Sequence, residues 1–290
     1  MLQTAELLKK VRRLEIFTRR RVDDVIGGAY RSVFKGRGIE FDEVREYTYE
    51  DDVRDIDWNV SARLNAPYVK KYIEERELTV LLMLDISGSM RCKRVVERAA
   101  EAAALLGLSA MKNNDKVGLA LFNNKVEKFL IPRSGRHNRL RLIRELIEAL
   151  ENPPFERTTS LAESLQDVCR ILVKRSVIFV ISDLLDDSPE LEKALKSACR
   201  RHEVIVLHTF EAATAQLPPG VLNIYDAENG SFCKLFSRRS QTEFVRQQQD
   251  FIAGRKALCR KSGAKVIDLA PDKDTLNILL DFFQKNRKSR

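Results

Sequence analysis

The sequence predicts an α/β protein, with a mostly parallel sheet carrying helices on both faces and a small N-terminal α+β subdomain before it. Three observations predict this. Apolar runs without alternation recur at 78–84, 176–182 and 203–210, as in strands buried on both faces. Segments with helical spacing separate those runs, which is the rhythm of crossover connections in a parallel sheet. Upstream of Arg76 the sequence turns short-patterned, turn-rich and mixed in charge, so residues 1–75 read as one piece and 76–290 as another.

Taken in order, residues 5–21 place Leu7, Val11, Leu14 and Phe17 at helical spacing among seven basic residues, a stripe expected to dock on the rest of the protein, with an anionic membrane surface as the alternative. Alternation in 39–47 and 68–75 predicts half-exposed strands, and Trp58, the only tryptophan, is expected to anchor the small core there. The acidic run Glu50, Asp51, Asp52, Asp55, Asp57 could bind a cation, but a solvated loop paired with nearby arginines is the favoured reading. Gly36 and Gly38 do not follow a strand and open a helix, so they make no dinucleotide fingerprint.

Beyond the strand at 78–84, a helix over 91–113 carries Val95, Ala99, Ala103 and Leu106 on one face, small enough to lie close on a sheet. The strands in "KVGLALF" and "KVEKFLI" join through an Asn123-Asn124 hairpin. A helix over 136–150 turns Leu140, Ile143, Ile147 and Leu150 inward and arginines outward. Ser160-x-x-Glu163 matches a capping box, and Ser188-Pro189 an N-cap followed by proline at the first helical position. Strands at 221–225 and 231–236, a helix over 240–261, the strand "AKVIDL" and a helix bearing Leu276, Leu279 and Phe283 complete the chain.

Composition bounds the function. The five cysteines are scattered and form no C-x-x-C pair, which argues against a disulfide framework and a zinc site and for the cytoplasm. No stretch approaches the roughly 18 apolar residues of a membrane span. Lys and Arg exceed Asp and Glu by nine, a balance that favours acidic partners without choosing among them.

The chemistry gathers at Asp85-Ile86-Ser87-Gly88-Ser89, where the first buried strand ends. Alternate residues of such a turn can aim one carboxylate and two hydroxyls at a common point. Oxygen donors without His or Cys suit Mg²⁺, with Mn²⁺ or Ca²⁺ as substitutes; the alternative is a polar turn whose serines cap the next helix. Asp183 also follows a buried strand, and Thr159 stands at the mouth of a helix running back along the sheet. Ligands of open parallel sheets bind beyond the carboxyl ends of the strands, so three loops would converge there.

Asp85-x-Ser87-x-Ser89, the threonine and Asp183 together resemble the metal-ion-dependent adhesion site of the von Willebrand factor A domain, over roughly 76–285. The block from Gly36 to Glu77, "GRGIEFDEVREYTYEDDVRDIDWNVSARLNAPYVKKYIEERE", closely resembles the signature of domain-of-unknown-function family 58, whose members often stand beside genes for MoxR-type AAA+ ATPases. The resemblance implies a von Willebrand factor A-like, Rossmann-like sheet, and the soluble branch of the family. It implies Ser87, Ser89 and Thr159 as direct ligands, with Asp85 and Asp183 in supporting or water-mediated roles. Thr158 is adjacent; Thr159 is chosen because "TSLAESL" aligns with the family's threonine and leucine. Ser182 reads as a plain turn residue.

A cation held largely by neutral hydroxyls keeps much of its charge and attracts an Asp or Glu from a partner. The expectation is therefore a metal-dependent protein-interaction module, not an enzyme, serving a MoxR-type ATPase and its client. A metal-dependent hydrolase or phosphotransferase is the alternative, but His137, His202 and His208 lie in no catalytic motif and no phosphate loop occurs. His208, near a strand end, reads as structural. RNA binding through Arg133, Arg136, Arg139, Arg141 and Arg144 is a third reading, disfavoured because the aromatics form no stacking platform among them.

Overall fold

The computed structural model describes residues 40–288 except 50, 74–76, 92, 152–157, 211–219 and 226–231. The helix expected over 5–21 lies outside the described residues. The chain divides into two compact units, one of them Phe34–Leu78 and the other containing Thr79–Arg290.

In the smaller unit, β1 (Glu40–Glu46) pairs antiparallel with β2 (Tyr68–Ile73), and α1 (Trp58–Leu64) lies between them in sequence. Three residues of the acidic run serve local structure, and Glu50 lies outside the described residues. Asp51 meets Arg45 at 2.5 Å, Asp52 accepts from the Arg54 amide, and Asp57 caps α1 while pairing with Lys70 at 3.2 Å. Trp58 does not anchor a core: its side chain is 68% exposed, because the Asp57 cap starts the helix at Trp58 and leaves the indole in solvent. Val69 is the one buried apolar residue of this unit among the described residues.

The larger unit holds a six-stranded sheet built from β3 (Thr79–Asp85), β4 (Lys116–Phe122), β5 (Val126–Arg133), β6 (Val177–Ser182), β7 (Glu203–Thr209) and β10 (Lys265–Leu269). A separate antiparallel pair, β8 (Leu222–Tyr225) and β9 (Phe232–Leu235), falls between β7 and β10. The sheet order is β10-β7-β6-β3-β4-β5, all parallel except the edge strand β5. This is the mostly parallel α/β class expected. The chain enters at β3, works outward to β5, then crosses back to β6 on the other side of β3. The β3–β6 boundary is thus the switch point where such sheets open a crevice.

The helices are α2 (Lys93–Lys112), α3 (Arg136–Glu151), α4 (Leu161–Ile171), α5 (Leu191–Arg201), α6 (Arg238–Lys261) and α7 (Thr275–Lys288). Val95, Ala99, Ala103 and Leu106 of α2 are buried as their spacing requires. A Cβ on Gly107 would come within 2.9 Å of Leu142, so glycine sets the approach of α2 to α3. The buried side of α3 is Leu142, Ile143, Leu146 and Ile147, whereas Leu140 is 40% exposed and the Leu150 side chain lies outside the described residues. Asn138 explains the rotation: its amide donates to the Val117 and Arg133 carbonyls at 2.8 and 2.7 Å and turns that flank to the sheet.

Two helix starts differ from expectation. Ser160 makes no side-chain cap bond to α4, and that role falls to Asp186. Ser188 accepts from the Glu190 amide, but a turn intervenes and α5 begins at Leu191. The described thiols, Cys169, Cys199 and Cys259, are free. Burial pushes the last two up to about 11, as suits packing residues. Among the described residues no helix is long and apolar enough to cross a membrane.

Candidate metal centre

β3 and β6 run parallel with Leu84 beside Ile181, so their last residues, Asp85 and Ser182, end at the same level of the carboxyl edge. Both are buried. Asp85 Oδ2 accepts from the Ser182 hydroxyl at 2.7 Å, and Oδ1 accepts from the Ser87 amide at 2.9 Å. Ser182 is therefore more than a turn residue. It holds one Asp85 oxygen, and its own oxygen accepts from the Leu184 amide at 3.1 Å. Sequence reasoning gave it a turn role because its partner lies 97 positions upstream.

Ser87 Oγ and Ser89 Oγ lie 3.1 Å apart. Ser89 opens a short 3₁₀ turn and α2 starts only at Lys93, so neither serine is that helix's N-cap. Asp183 is buried, with Oδ1 accepting from the Leu185 amide at 3.2 Å. Leu184 adopts φ +60, a left-handed conformation that disfavours a branched side chain, inside full burial. Thr159 is half-buried where Thr158 is exposed, and the next residue, Ser160, donates its amide to the Asn123 carbonyl at 2.8 Å.

These bonds close a ring of four chain segments at the carboxyl edge. The Ile86 amide donates to the Phe122 carbonyl, joining the Asp85 loop to the end of β4. Ser160 joins the neighbouring Asn123 to the mouth of α4. The Leu161 and Ala162 amides donate to Asp186 Oδ2 at 2.7 and 3.2 Å, joining α4 to the loop after β6. Ser182 then returns to Asp85. Asp85, Ser87 and Ser89 are linked directly, and the segments of Thr159 and Asp183 are tied to them through backbone bonds and the Ser182 and Asp186 side chains. Asp186 was missed in the sequence, because nothing local shows a carboxylate capping a helix 25 positions upstream.

Among the described residues no basic partner offsets the charge of Asp85. Burial pushes the Asp85 carboxyl up to about 7, and the neighbouring Asp183 charge pushes the same way. A divalent ion would relieve both. The donors fit one: bonds of about 2.0–2.1 Å at right angles around Mg²⁺ put adjacent ligands roughly 3 Å apart, near the serine spacing. Among the described residues no three His, Cys, Asp or Glu side chains form a metal cluster, so this donor set is one of hydroxyls beside two carboxylates. His208 is the register neighbour of Ser182 on β7, but its Nδ1 is bonded to Asp268 at 2.9 Å and its ring is stacked on Phe210. Burial lowers its pKa and its contacts are structural.

Several known proteins are similar. Uncharacterized protein Rv1480 of Mycobacterium tuberculosis and Uncharacterized protein Mb1516 of Mycobacterium bovis are each 27% identical over 289 residues, covering 98% of this chain and 90% of theirs. Among solved structures, an aerotolerance-related membrane protein from Bacteroides fragilis is 18% identical at TM-score 0.48, covering 73% of this chain and 100% of that one. BatB from Bacteroides thetaiotaomicron is 16% identical at TM-score 0.46, covering 73% and 99%. Residues 43–252 match the family described as "Protein of unknown function DUF58", a span that includes part of the small unit and most of the sheet unit. The chain belongs to the DUF58 family.

Proposed function

We propose that the β3–β6 crevice holds a divalent cation, Mg²⁺ in the first instance, and uses it to capture an acidic side chain of a protein partner. Ser87, Ser89 and Thr159 supply hydroxyl ligands, and Asp85 and Asp183 act beside them or through water. The observation that carries the reading is the pair of serine hydroxyls 3.1 Å apart beside a buried carboxylate whose pKa is raised to about 7. When bound, the ion supplies an electrophilic position for a carboxylate ligand.

What this chain's residues do follows from their bonds. Ser182 and the Ser87 amide orient Asp85, and the paired hydroxyls of Ser87 and Ser89 would hold the ion. The basic balance of the whole chain favours an acidic partner at range. A role as adaptor for a MoxR-type AAA+ ATPase in remodelling or maturing a client rests on the resemblance in the small unit's signature block. The free thiols are in keeping with action in the cytoplasm. The test is capture of a purified MoxR-type ATPase in Mg²⁺ against chelator, with Asp85→Ala as control. The proposal expects capture only in Mg²⁺ with the unaltered chain; equal capture in all arms contradicts it.

A further inference from the structure

Asp186 is a buried carboxylate with no role in binding the proposed ion. It is 5% exposed, and its oxygens accept three backbone N–H bonds, from Leu161 and Ala162 on Oδ2 and from Ser188 on Oδ1 at 2.8 Å. Burying a carboxylate costs heavily unless such donors and a helix N-terminus compensate it. A local residue could have capped α4 without that cost. Ser160 occupies the cap position, is of a favoured type, and makes no side-chain bond to the helix.

The difference between a local cap and Asp186 lies in what gets tied together. A local cap would stabilise α4 and leave the loop after β6 unattached to it. Asp186 fastens that loop to the first turn of α4, two residues past Thr159 and three past Asp183. The stretch between Asp183 and Asp186 has little freedom. Leu184 is held at φ +60 with its amide on Ser182 Oγ, and the Leu185 amide is on Asp183 Oδ1. The position of Asp183 relative to Thr159 is thereby fixed through Asp186.

We propose that Asp186 is a positioning residue for the metal centre: by bonding the Leu161 and Ala162 amides it sets the separation of the Thr159 and Asp183 loops, and so sets cation affinity without touching the cation. This rests on the metal-site reading above. Partners of this kind, one step removed from the ion, typically govern 10–100-fold in affinity.

The test separates positioning from capping. Mn²⁺ binding to the full chain is measured by calorimetry, with thermal stability alongside, for the unaltered protein, Asp186→Ala, and Asp186→Ala combined with Ser160→Asn. Asparagine at an N-cap can serve α4 locally but cannot rejoin the loops. The expected result is that the double variant regains stability over Asp186→Ala while its Mn²⁺ affinity stays roughly 10–100-fold below the unaltered protein. Affinity restored with stability, or unchanged in both variants, makes Asp186 a helix cap only and overturns the inference while the metal reading stands. An unaltered chain that takes up no Mn²⁺ overturns the metal reading itself, and this inference with it.

Discussion

Asp85 sits between two demands: the Ser87 amide and Ser182 hydroxyl favour its charge, while burial and the nearby Asp183 oppose it more strongly. Its folded pKa, about 7, exceeds the ordinary value of 3.8, so between those pH values the folded chain holds a proton that the unfolded chain has lost. The resulting stabilisation is complete below the lower value and disappears as pH rises through the upper one. In chelator, the unaltered protein should lose up to about 1.4 kcal/mol per pH unit relative to Asp85→Asn across that window. Parallel denaturation midpoints for the two proteins would contradict this, and saturating Mg²⁺ should flatten the slope. Ser182→Ala removes the donor to Asp85 and the acceptor of the Leu184 amide. It should cost roughly 1–3 kcal/mol in urea denaturation, and an unchanged midpoint would show the contact to be idle. Residues of this kind were legible by type only. The serines and aspartates stood out because they follow a buried strand, whereas the pairing of Ser182 with Asp85 depends on two strands being neighbours.

Among the elements, the strands were the most legible. The run Val80–Leu84 is fully buried, and an unbroken apolar stretch of that length fits little else. Helix ends were less so. The α4 start carries a locally convincing capping box, yet Asp186 takes its place, and the rotation of α3 follows from Asn138 reaching Val117 and Arg133. Trp58 illustrates the same limit in the small unit: hydrophobicity favours burial, but a capped helix start fixed its direction outward. The β4–β5 pair offers a direct check on packing. A Cβ on Gly118 would lie 2.6 Å from the Leu130 carbonyl oxygen and 2.8 Å from Pro132. Gly118→Ala should lower stability by roughly 1–3 kcal/mol, read as a lower denaturation midpoint at unchanged slope. A variant as stable as the unaltered chain would mean that β5 yields freely.

At the scale of the whole molecule, alternation of buried strands and helices made the α/β class readable, and the sheet order places β3 and β6 at the switch point. The three candidate loops could be assigned to one edge on that ground alone. The ring of bonds that joins them could not, since each link connects segments far apart in the chain and depends on backbone direction. On α3, Arg136, Arg141 and Arg144 are exposed, opposite the buried face of Leu142, Ile143 and Leu146. The claim that everything else hangs on is that these loops surround a cation. Crystals soaked in Mn²⁺ and measured for anomalous scattering test it most directly. The account predicts one peak at ligand distance, about 2.2 Å, from Ser87 Oγ and Ser89 Oγ and close to Thr159. A map with no peak there, or with its peak on the acidic run around Asp51–Asp57, would contradict it.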